Sequence, residues 1–340
     1  MSAITFKLTG GTNVGLVRSN NEDNFIVNGD LTQNDWFIPS DTSKDITLGK
    51  AGCLMVVADG MGGMNAGEVA SAIAINTVKE SFSAKGLMKI TKSDEKIKNF
   101  MQKVVVKADE NIKKAVEQDS STSGMGTTIV MAWIMGNKAH IVWCGDSRAY
   151  LFNANSGLSR LSNDHSYVQQ LVDEGKLDPE LAFDHPNSNI ITRSLGDSHT
   201  KARPDYMSRT LSEGDIVFLC SDGLCGLCRD EEILDVINQE VENIEQHKTN
   251  LINAALEAGG HDNVTITLFQ VTSLVNDENE ASISSDTFND FSTEKKRKKN
   301  SKRARVIIAL VISVLALTAL CLGLLHHFDV IDLCKAIHCK

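Results

Sequence analysis

Two apolar runs separated by a short turn decide the fold: TTIVMAWIM, Thr127–Met135, and AHIVWCGD, Ala139–Asp146. Both runs are rich in β-branched and aromatic residues, which favour strands. Only the residues Gly136 to Lys138 separate them, too few for the crossover that two parallel strands require. The stretch therefore predicts an antiparallel hairpin and, together with helical segments elsewhere, a chain of the α+β class.

Further strands and long helices follow from the same kind of pattern. Apolar runs bounded by Gly, Asn or Asp predict strands over residues 24–27, 53–58, 149–152, 215–220 and 264–271. Helical periodicity predicts helices over residues 66–82, 93–118, 166–174 and 230–241. The chain contains no GxxxxGK[ST] and no GxGxxG motif. The sequence therefore does not support a nucleotide-cradling loop.

Carboxylates recur where apolar strands end. VVADGMGG, Val56–Gly63, passes from a buried strand into Asp59 and then into glycines that let the backbone approach a ligand closely. Acids stand in similar positions in four other turns: Glu22 and Asp23 in RSNNED, Asp146 in VWCGDSRAY, Asp222 in VFLCSDG, and Asp262 in GGHDNVT. Each alone is a common turn residue, but several at one sheet edge repel one another unless cations bridge them. Ligation by oxygen alone favours Mg²⁺ or Mn²⁺, and a two-ion carboxylate site suits in-line displacement at phosphorus.

The ordered motifs RSNNED, VVADGMGG, SGMGTT, GDSRAY, ITRSLGD, SDG and HDNVT resemble those of the metal-dependent type 2C serine/threonine protein phosphatases, the PPM family, and its bacterial branch in particular. The resemblance covers about residues 7–271. It implies a central antiparallel β-sandwich flanked by helices on both outer faces (αββα layers). It also implies hydrolysis of phosphoserine and phosphothreonine through a metal-activated water at a binuclear Mn²⁺ or Mg²⁺ site.

The resemblance also assigns metal ligands. Asp59 would bridge two ions, and the backbone carbonyl of Gly60 would bind one of them. Asp222 and Asp262 would complete the first ion. The remaining metal positions are Glu22 at the second ion, Asp23 there as a direct ligand or an outer partner, and Asp146, which with Asp222 matches a third ion in many bacterial members.

Residues that contact substrate follow from the same resemblance. Arg18 would bind the phosphoryl group, for which its planar guanidinium is suited, and Asn263 would orient the site. Met61 stands where eukaryotic members often carry a histidine that protonates the leaving alcohol. A methionine cannot donate that proton, so the acid is unassigned. His165 and His261 are candidates by position in the sequence alone, and a structural role is the simpler interpretation for each.

Charge and hydropathy differ sharply along the chain. The formal charge is -10, yet residues 295–305 carry eight Lys or Arg and no acid, and the residues after them are balanced, which leaves about -18 on residues 1–294. Such an acidic region is a poor partner for nucleic acid. Residues 306–325, VIIALVISVLALTALCLGLL, form an uncharged stretch of the length that crosses a bilayer. The residues MSAITFKLTG lack the basic flank and apolar stretch of a secretory signal, so we expect no such signal there.

These observations predict five segments: a type 2C catalytic domain over residues 1–272, an acidic flexible linker over 273–294, a basic juxtamembrane segment over 295–305, a transmembrane helix over 306–325 and a short tail over 326–340. The positive-inside rule then predicts a single-pass, tail-anchored membrane protein with a cytoplasmic catalytic domain. Its expected partners are Ser/Thr-phosphorylated proteins, the membrane and, from the resemblance, a Ser/Thr kinase.

Two other functions stay open at this point. A catalytically silent scaffold that binds phosphoproteins would share the fold, although such proteins usually lose a ligand residue and every expected carboxylate is present here. A phosphatase of small phosphomonoesters would share the site residues and differ only in the shape of the pocket.

Overall fold

The computed structural model describes residues 3–275, except residues 34, 37–40, 63–65, 83–86 and 91–92. Its strands are β1 (Ala3–Asn13), β2 (Asn24–Asn28), β3 (Ile46–Thr47), β4 (Cys53–Ala58), β5 (Gly60–Met61), β6 (Gly126–Thr127), β7 (Ile129–Met135), β8 (Lys138–Cys144), β9 (Arg148–Asn153), β10 (Gly157–Arg160), β11 (Asp205–Thr210), β12 (Ile216–Cys220) and β13 (Val264–Val275). Its helices are α1 (Gly67–Ser81), α2 (Leu87–Ile90), α3 (Asp94–Gln118), α4 (Tyr167–Asp173), α5 (Pro179–Ala182), α6 (Asp222–Cys225), α7 (Asp230–Ile237) and α8 (Ile244–Glu257).

The strands form two large antiparallel sheets. One has six strands in the order β10-β9-β12-β13-β1-β3, and the other has five in the order β11-β8-β7-β4-β2. The hairpin predicted from TTIVMAWIM and AHIVWCGD is formed by β7 and β8, which pair from Ile129 opposite Cys144 to Met135 opposite Lys138. The prediction of an α+β fold with antiparallel sheets is confirmed.

The central strands are apolar throughout because both faces of their sheet are covered. In β4 all six residues are buried. Val57 and its alternate neighbours join the cluster that also contains Phe6 and Phe269 of the six-stranded sheet, whose rings stack 4.5 Å apart. Val56 and its alternate neighbours join a second cluster with α1 and α3, which contains Trp133. Burial on both faces explains why these strands read as continuous apolar runs instead of alternating ones.

The outer face of the six-stranded sheet packs against α7 and α8. Tyr150 and Phe218 stack 4.9 Å apart there, and Ile237 and Leu251 of the two helices complete the cluster. Side chains of this size contribute roughly 1.5–3 kcal/mol each when fully buried, so this layer fixes the helices firmly to the sheet.

The strand β1 was not predicted, although its sequence carries the signal. Ile4, Phe6 and Leu8 are buried, and the polar residues Thr5 and Lys7 alternate with them. This is the period-two pattern of a strand. The structure pairs β1 with β13 along its whole length, from Ala3 opposite Val275 to Asn13 opposite Val264.

The predicted membrane location is contradicted. No helix within residues 3–275, as far as they are described, is long and apolar enough to cross a bilayer. The longest of them, α3, has 25 residues but carries many lysines and acids. The stretch 306–325, on which the tail-anchor prediction depended, lies outside the described residues, as do the predicted basic segment and the tail. The strand β13 extends to Val275, three residues into the stretch interpreted as a linker.

Candidate metal and phosphate site

Strand register brings the predicted acids to one end of each large sheet. Asn24 of β2 pairs with Ala58 of β4, so Asp23 before the first strand and Asp59 after the second lie at the same edge. In the six-stranded sheet, Cys220 at the end of β12 is opposite the first residue of β9 and close to the start of β13. The residues that flank these strand ends are Asp146, Asp222 and Asp262. We refer to Asp23, Asp59, Asp146, Asp222 and Asp262 as the acidic edge.

The backbone of Asp59 is fixed by the SGMGTT motif. The Asp59 N–H donates to Thr128 Oγ1 at 3.1 Å, and the Asp59 carbonyl accepts from the Thr128 N–H and from Thr127 Oγ1, both at 2.8 Å. Thr128 Oγ1 in turn lies 2.6 Å from Ser147 Oγ. These bonds hold the aspartate at the end of β4, so the SGMGTT motif positions Asp59.

Gly60 occupies a position where three backbone segments meet. A Cβ atom added there would lie 2.3 Å from the carbonyl oxygen of Gly67 and 2.5 Å from that of Glu22. A Cβ on Gly67 would lie 2.6 Å from Glu22 Oε2. Any side chain at these glycines would push the Glu22 loop away from β5, which explains why the strand is followed by residues without side chains.

Ser221 joins Asp23 to the other sheet. Ser221 Oγ donates to Asp23 Oδ2 at 2.7 Å and accepts from the Thr265 N–H at 3.0 Å. Asp23 Oδ1 is buried and has no hydrogen-bond partner among the described residues. Burial raises the pKa of Asp23 to about 7 against the opposing effect of the Ser221 hydrogen bond. Ser221 was not predicted, although it directly precedes Asp222 in the SDG motif.

Asn263 holds the loop that carries Arg18 and Glu22. Its Oδ1 accepts from the Glu22 N–H at 2.8 Å, and its Nδ2 donates to the carbonyls of Val14 and Asn20, each at 2.9 Å. The residue is buried, and its three bonds satisfy the amide. Asn263 therefore positions this loop from the start of β13.

Arg18 reaches the acidic edge from the solvent side. Its Nη2 lies 2.7 Å from Asp262 Oδ2, and 51% of its side chain is exposed. The hydrogen bond to Asp262 and the negative charges of Asp262, Glu22 and Asp222 raise the pKa of Arg18. A permanently charged guanidinium is thus displayed beside the carboxylates and remains accessible to a ligand.

The carboxyl groups of the acidic edge interact strongly. Burial, followed by the charges of Asp222, Asp23 and Asp146, raises the pKa of Asp59 well above its usual value. Burial, followed by the charge of Asp262, raises the pKa of Asp222. Burial and the charge of Asp222 raise the pKa of Asp146.

The spacing of the acids and the state of their oxygens give opposite indications on whether the acidic edge can bind a metal ion. No three His, Cys, Asp or Glu side chains within the described part of the chain have the spacing of a ready-made metal site. Yet Asp23 Oδ1, Asp146 Oδ1 and Asp222 Oδ1 are all buried without a hydrogen-bond partner among the described residues. Buried carboxylate oxygens are costly unless a cation or a hydrogen-bond donor meets them, so these three oxygens favour a metal site at the acidic edge. Oxygen donors of this type suit Mn²⁺ or Mg²⁺.

Glu22 lies near Glu68, an acid outside the acidic edge. Burial, and after it the charge of Glu68, raises the pKa of Glu22. Glu68 Oε2 is also buried without a partner in the described residues. Glu68 in the first turn of α1 was not predicted. The sequence feature that could have identified it is its position: Glu68 follows the Gly-rich turn by a few residues and lies in the first turn of α1.

A cleft of about 360 Å³ opens beside the acidic edge. Asp146, Asp222 and Asp262 line it on one side. Phe183 and Ser188 line it on the other, and belong to the segment 174–190 that follows α4 and contains α5. We call residues 174–190 the flap segment. A ligand in this cleft would contact both the acids and the flap segment.

A second group of charges, centred on the largely buried Arg148 and Asp164, lies next to the cleft. Arg148 donates to both oxygens of Asp164 through Nε at 2.9 and 3.1 Å, and through Nη2 to Asp164 Oδ2 at 2.7 Å. Asp230 Oδ1 accepts from Tyr150 Oη at 2.7 Å and from Arg148 Nη1 at 3.4 Å. We call Arg148, Tyr150, Asp164 and Asp230 the arginine network. Arg148 and Tyr150 belong to the motif GDSRAY, but the sequence predicted no role for either residue.

The histidine candidates for a proton donor differ in environment. His165 is buried, accepts the Gly145 N–H at Nδ1 over 3.1 Å, and has Asp205 Oδ2 3.1 Å from Nε2. Burial lowers the pKa of His165. Its contacts give it a structural role. His261 is exposed and lines the cleft.

Comparison with known proteins finds a matching family model, sequence relatives and similar solved structures. The family model described as protein phosphatase 2C matches residues 9–264. The serine/threonine protein phosphatase PstP of Mycobacterium tuberculosis is 33% identical over 260 residues, which are 76% of this chain and 43% of that protein. This chain therefore spans less than half the length of that relative. The protein phosphatase PhpP of Streptococcus pneumoniae is 33% identical over 261 residues, 76% of this chain and 94% of that protein. The solved catalytic domain of PstP in complex with two manganese ions has a TM-score of 0.62 and 30% identity, and covers 80% of this chain and 100% of that one.

Proposed function

This chain belongs to the protein phosphatase 2C family, and from that premise we propose that it is a metal-dependent serine/threonine phosphatase that removes phosphate from phosphoserine and phosphothreonine in proteins. The observation that carries the proposal is the set of buried carboxylate oxygens at the acidic edge that have no hydrogen-bond partner in the part of the chain the structure describes. They lie beside an exposed arginine and an open cleft. Cations at the edge and a phosphate at the arginine would satisfy both features.

The residues that would hold Mn²⁺ or Mg²⁺ are those of the acidic edge together with the Gly60 carbonyl and Glu22. Asp23 is the more buried of the two acids in RSNNED and keeps Oδ1 free, whereas Glu22 reaches the edge from a loop fixed by Asn263. Both are retained as candidates for the second ion. When bound, the metal would supply positive charge for the phosphoryl oxygens and lower the pKa of a water nucleophile.

The chain's own residues would orient the substrate. Arg18 would bind two phosphoryl oxygens through its planar guanidinium, and its ion pair with Asp262 holds that group at the mouth of the site. Asn263 would keep the Arg18 loop at a fixed distance from β13 through its bonds to Val14, Asn20 and Glu22. This leaves the proton for the departing alcohol without a side-chain donor at Met61.

The proposed substrates are Ser/Thr-phosphorylated proteins, and a Ser/Thr kinase is a proposed partner because it would supply them. The names of the related proteins, serine/threonine protein phosphatase and protein phosphatase, support this class of substrate. We propose that the catalytic unit comprises residues 1–272.

Phosphate release from a phosphothreonine peptide by the full chain tests the proposal. We expect turnover with Mn²⁺, none with EDTA, and almost none for Asp59→Asn with Mn²⁺. The matched control is Asp235→Asn, which removes a carboxylate from the exposed face of α7 and should leave turnover unchanged. A folded protein that binds Mn²⁺ but hydrolyses no phosphopeptide would refute the proposal in favour of a scaffold. Hydrolysis of small phosphomonoesters alone would favour the narrower enzyme.

A further inference from the structure

Arg229 connects the flap segment to the opposite wall of the cleft. Its Nη2 lies 2.5 Å from Asp184 Oδ2, and its guanidinium carbon lies 4.3 Å from the centre of the Phe183 ring. Arg229 is the N-cap residue of α7, and its backbone N–H donates to Glu232 at 2.7 Å. The backbone contact fixes the base of the side chain, while the guanidinium extends to the flap segment.

Three arginines line the cleft, and their environments differ. Arg148 is 16% exposed and is held by Asp164 through several bonds. Arg160 is 26% exposed, donates to Gln169 at 3.0 Å and lies 3.9 Å from Asp164. These two guanidinium groups are already bonded to neighbouring side chains of the chain itself. They are therefore poor candidates for binding a ligand.

Arg229 is different because its anionic partner can be replaced. Its side chain is 39% exposed, and Asp184, the anion that pairs with its guanidinium in the described residues, is 72% exposed. An exposed ion pair of this kind is weak, because water solvates both groups well. Stacking on Phe183 uses the face of the guanidinium and leaves its N–H edge available to a carboxylate or phosphate.

We propose that Arg229 and Phe183 form a subsite for an anionic side chain of the phosphoprotein substrate, and that Asp184 occupies this subsite when substrate is absent. The inference rests on the proposed function. The anion is an acidic residue or a second phosphorylated residue near the one that is hydrolysed, since a planar guanidinium recognises both groups by the same paired hydrogen bonds.

The position of the subsite fits a peptide that enters the acidic edge. Arg229 lines the same cleft as Asp146 and Asp222, and an extended chain advances about 3.3 Å per residue, so an anion a few residues from the reacting one can enter the same cleft. Asp230 and Glu231 also line the cleft. Asp230 is held by Arg148 and Tyr150, and Glu231 would repel a substrate anion, so any preference for an acidic peptide depends on Arg229.

The test compares peptides that differ in one residue. The full chain with Mn²⁺ is assayed on phosphothreonine peptides that carry Ala, Glu or phosphoserine at each position from two to four residues on either side. We expect kcat/KM to be about tenfold higher for the best acidic peptides than for the Ala peptide, mainly through a lower KM. The Glu and phosphoserine series separate the two anions.

Variants assign the preference to the subsite. Arg229→Ala should bring the ratio of acidic to neutral peptide close to one while the Ala peptide is still hydrolysed. Arg229→Lys should give a smaller preference because it lacks the fork, and Asp184→Asn should lower KM for acidic peptides only. Arg209→Ala removes the same charge from the exposed strand β11 and should leave the ratio unchanged.

Two results would overturn the subsite: equal kcat/KM of the wild type on acidic and neutral peptides, or an acidic preference that persists in Arg229→Ala. Either result leaves the proposed function intact as long as the Ala peptide is turned over. If no peptide is hydrolysed, the proposed function fails on its own. The subsite is then tested by binding: the Kd values of the same labelled peptides, measured by fluorescence anisotropy, should favour acidic over neutral peptides in the wild type and not in Arg229→Ala.

Discussion

The acidic edge and the arginine network are two groups of buried charge, and they meet at neighbouring positions, Asp146 in one and Arg148 in the other. In the network, Asp164 accepts three bonds from Arg148, and Asp230 accepts from Tyr150. At the edge, three carboxylate oxygens have no partner among the described residues. Within the described residues, the carboxylates of the network are paired with donors, whereas these three oxygens of the edge bear the cost of burial without one. The difference separates charges that stabilise the fold from charges that await a ligand.

Among the substitutions that test this comparison, Asp222→Asn is expected to have the largest effect on activity. The substitution removes a carboxylate with an unpartnered oxygen and relieves repulsion with Asp59 and Asp262. We expect phosphatase activity to fall by roughly 10³-fold or more, the size of effect seen when a preorganised electrostatic group is lost. The melting temperature in EDTA should stay the same or rise. Activity and thermal unfolding of the same preparation check both.

A marked loss of stability in Asp222→Asn would contradict the comparison, because it would show that the acidic edge contributes to folding as the network does. The metal content of the variant, measured after dialysis against Mn²⁺, distinguishes a lost ligand from a misfolded site.

An intermediate effect is expected at Asp164. Asp164→Ala leaves Arg148 buried without its main partner, and breaking a buried pair from one side costs about 3–5 kcal/mol. The double variant Arg148→Met with Asp164→Leu removes both charges and should be more stable than the single one. Denaturant unfolding of the three proteins measures the difference. A double variant less stable than Asp164→Ala would show that the network stabilises the fold by more than mutual neutralisation.

The smallest effect concerns pH. Burial lowers the pKa of His165, so the folded protein keeps this residue neutral while the unfolded chain binds a proton near pH 6.5. Its contribution to stability is thus fully present above that pH and is lost as the pH falls. We expect His165→Gln to show a smaller acid-induced drop in melting temperature between pH 7.5 and 5.5, by less than the ~2–4 °C that 1 kcal/mol represents.

The control for the pH experiment is His199→Gln, at an exposed residue, which should follow the wild type. Identical slopes for His165→Gln and the wild type would mean that protonation of His165 is not coupled to unfolding.

Much of the fold could be predicted because its strands are buried on both faces. The run Cys53–Ala58 is apolar from end to end and the β7–β8 hairpin is largely so, and the structure matches the predicted bounds within a few residues. The strand β1 was missed although Ile4, Phe6 and Leu8 alternate with polar residues. The helix α8 was missed as well, since its apolar residues are spread among many polar ones.

The acids of the site could be found from sequence because each stands at a strand end, a local feature. Their partners could not. Ser221 bonds to Asp23, 198 positions away, and Asn263 bonds to Glu22, 241 positions away. Such pairs depend on how the two sheets pack, which no local pattern records. The predicted ligand roles of individual acids stay predictions. The predicted membrane location, which depended on the apolar stretch 306–325 and on the basic residues before it, is contradicted, since no helix within the described residues is long and apolar enough to cross a bilayer.

The pairing of β1 with β13 has a consequence for biosynthesis. The two strands are joined along their whole length across some 250 intervening residues, and β13 begins directly after Asp262 and Asn263. A ribosome must therefore release nearly the entire domain before the Arg18 loop can be fixed to its partner. Contacts between such distant segments form late and slow folding. The acidic edge and the Arg18 loop are consequently incomplete until this last strand has docked, because Asp262 and Asn263 directly precede it.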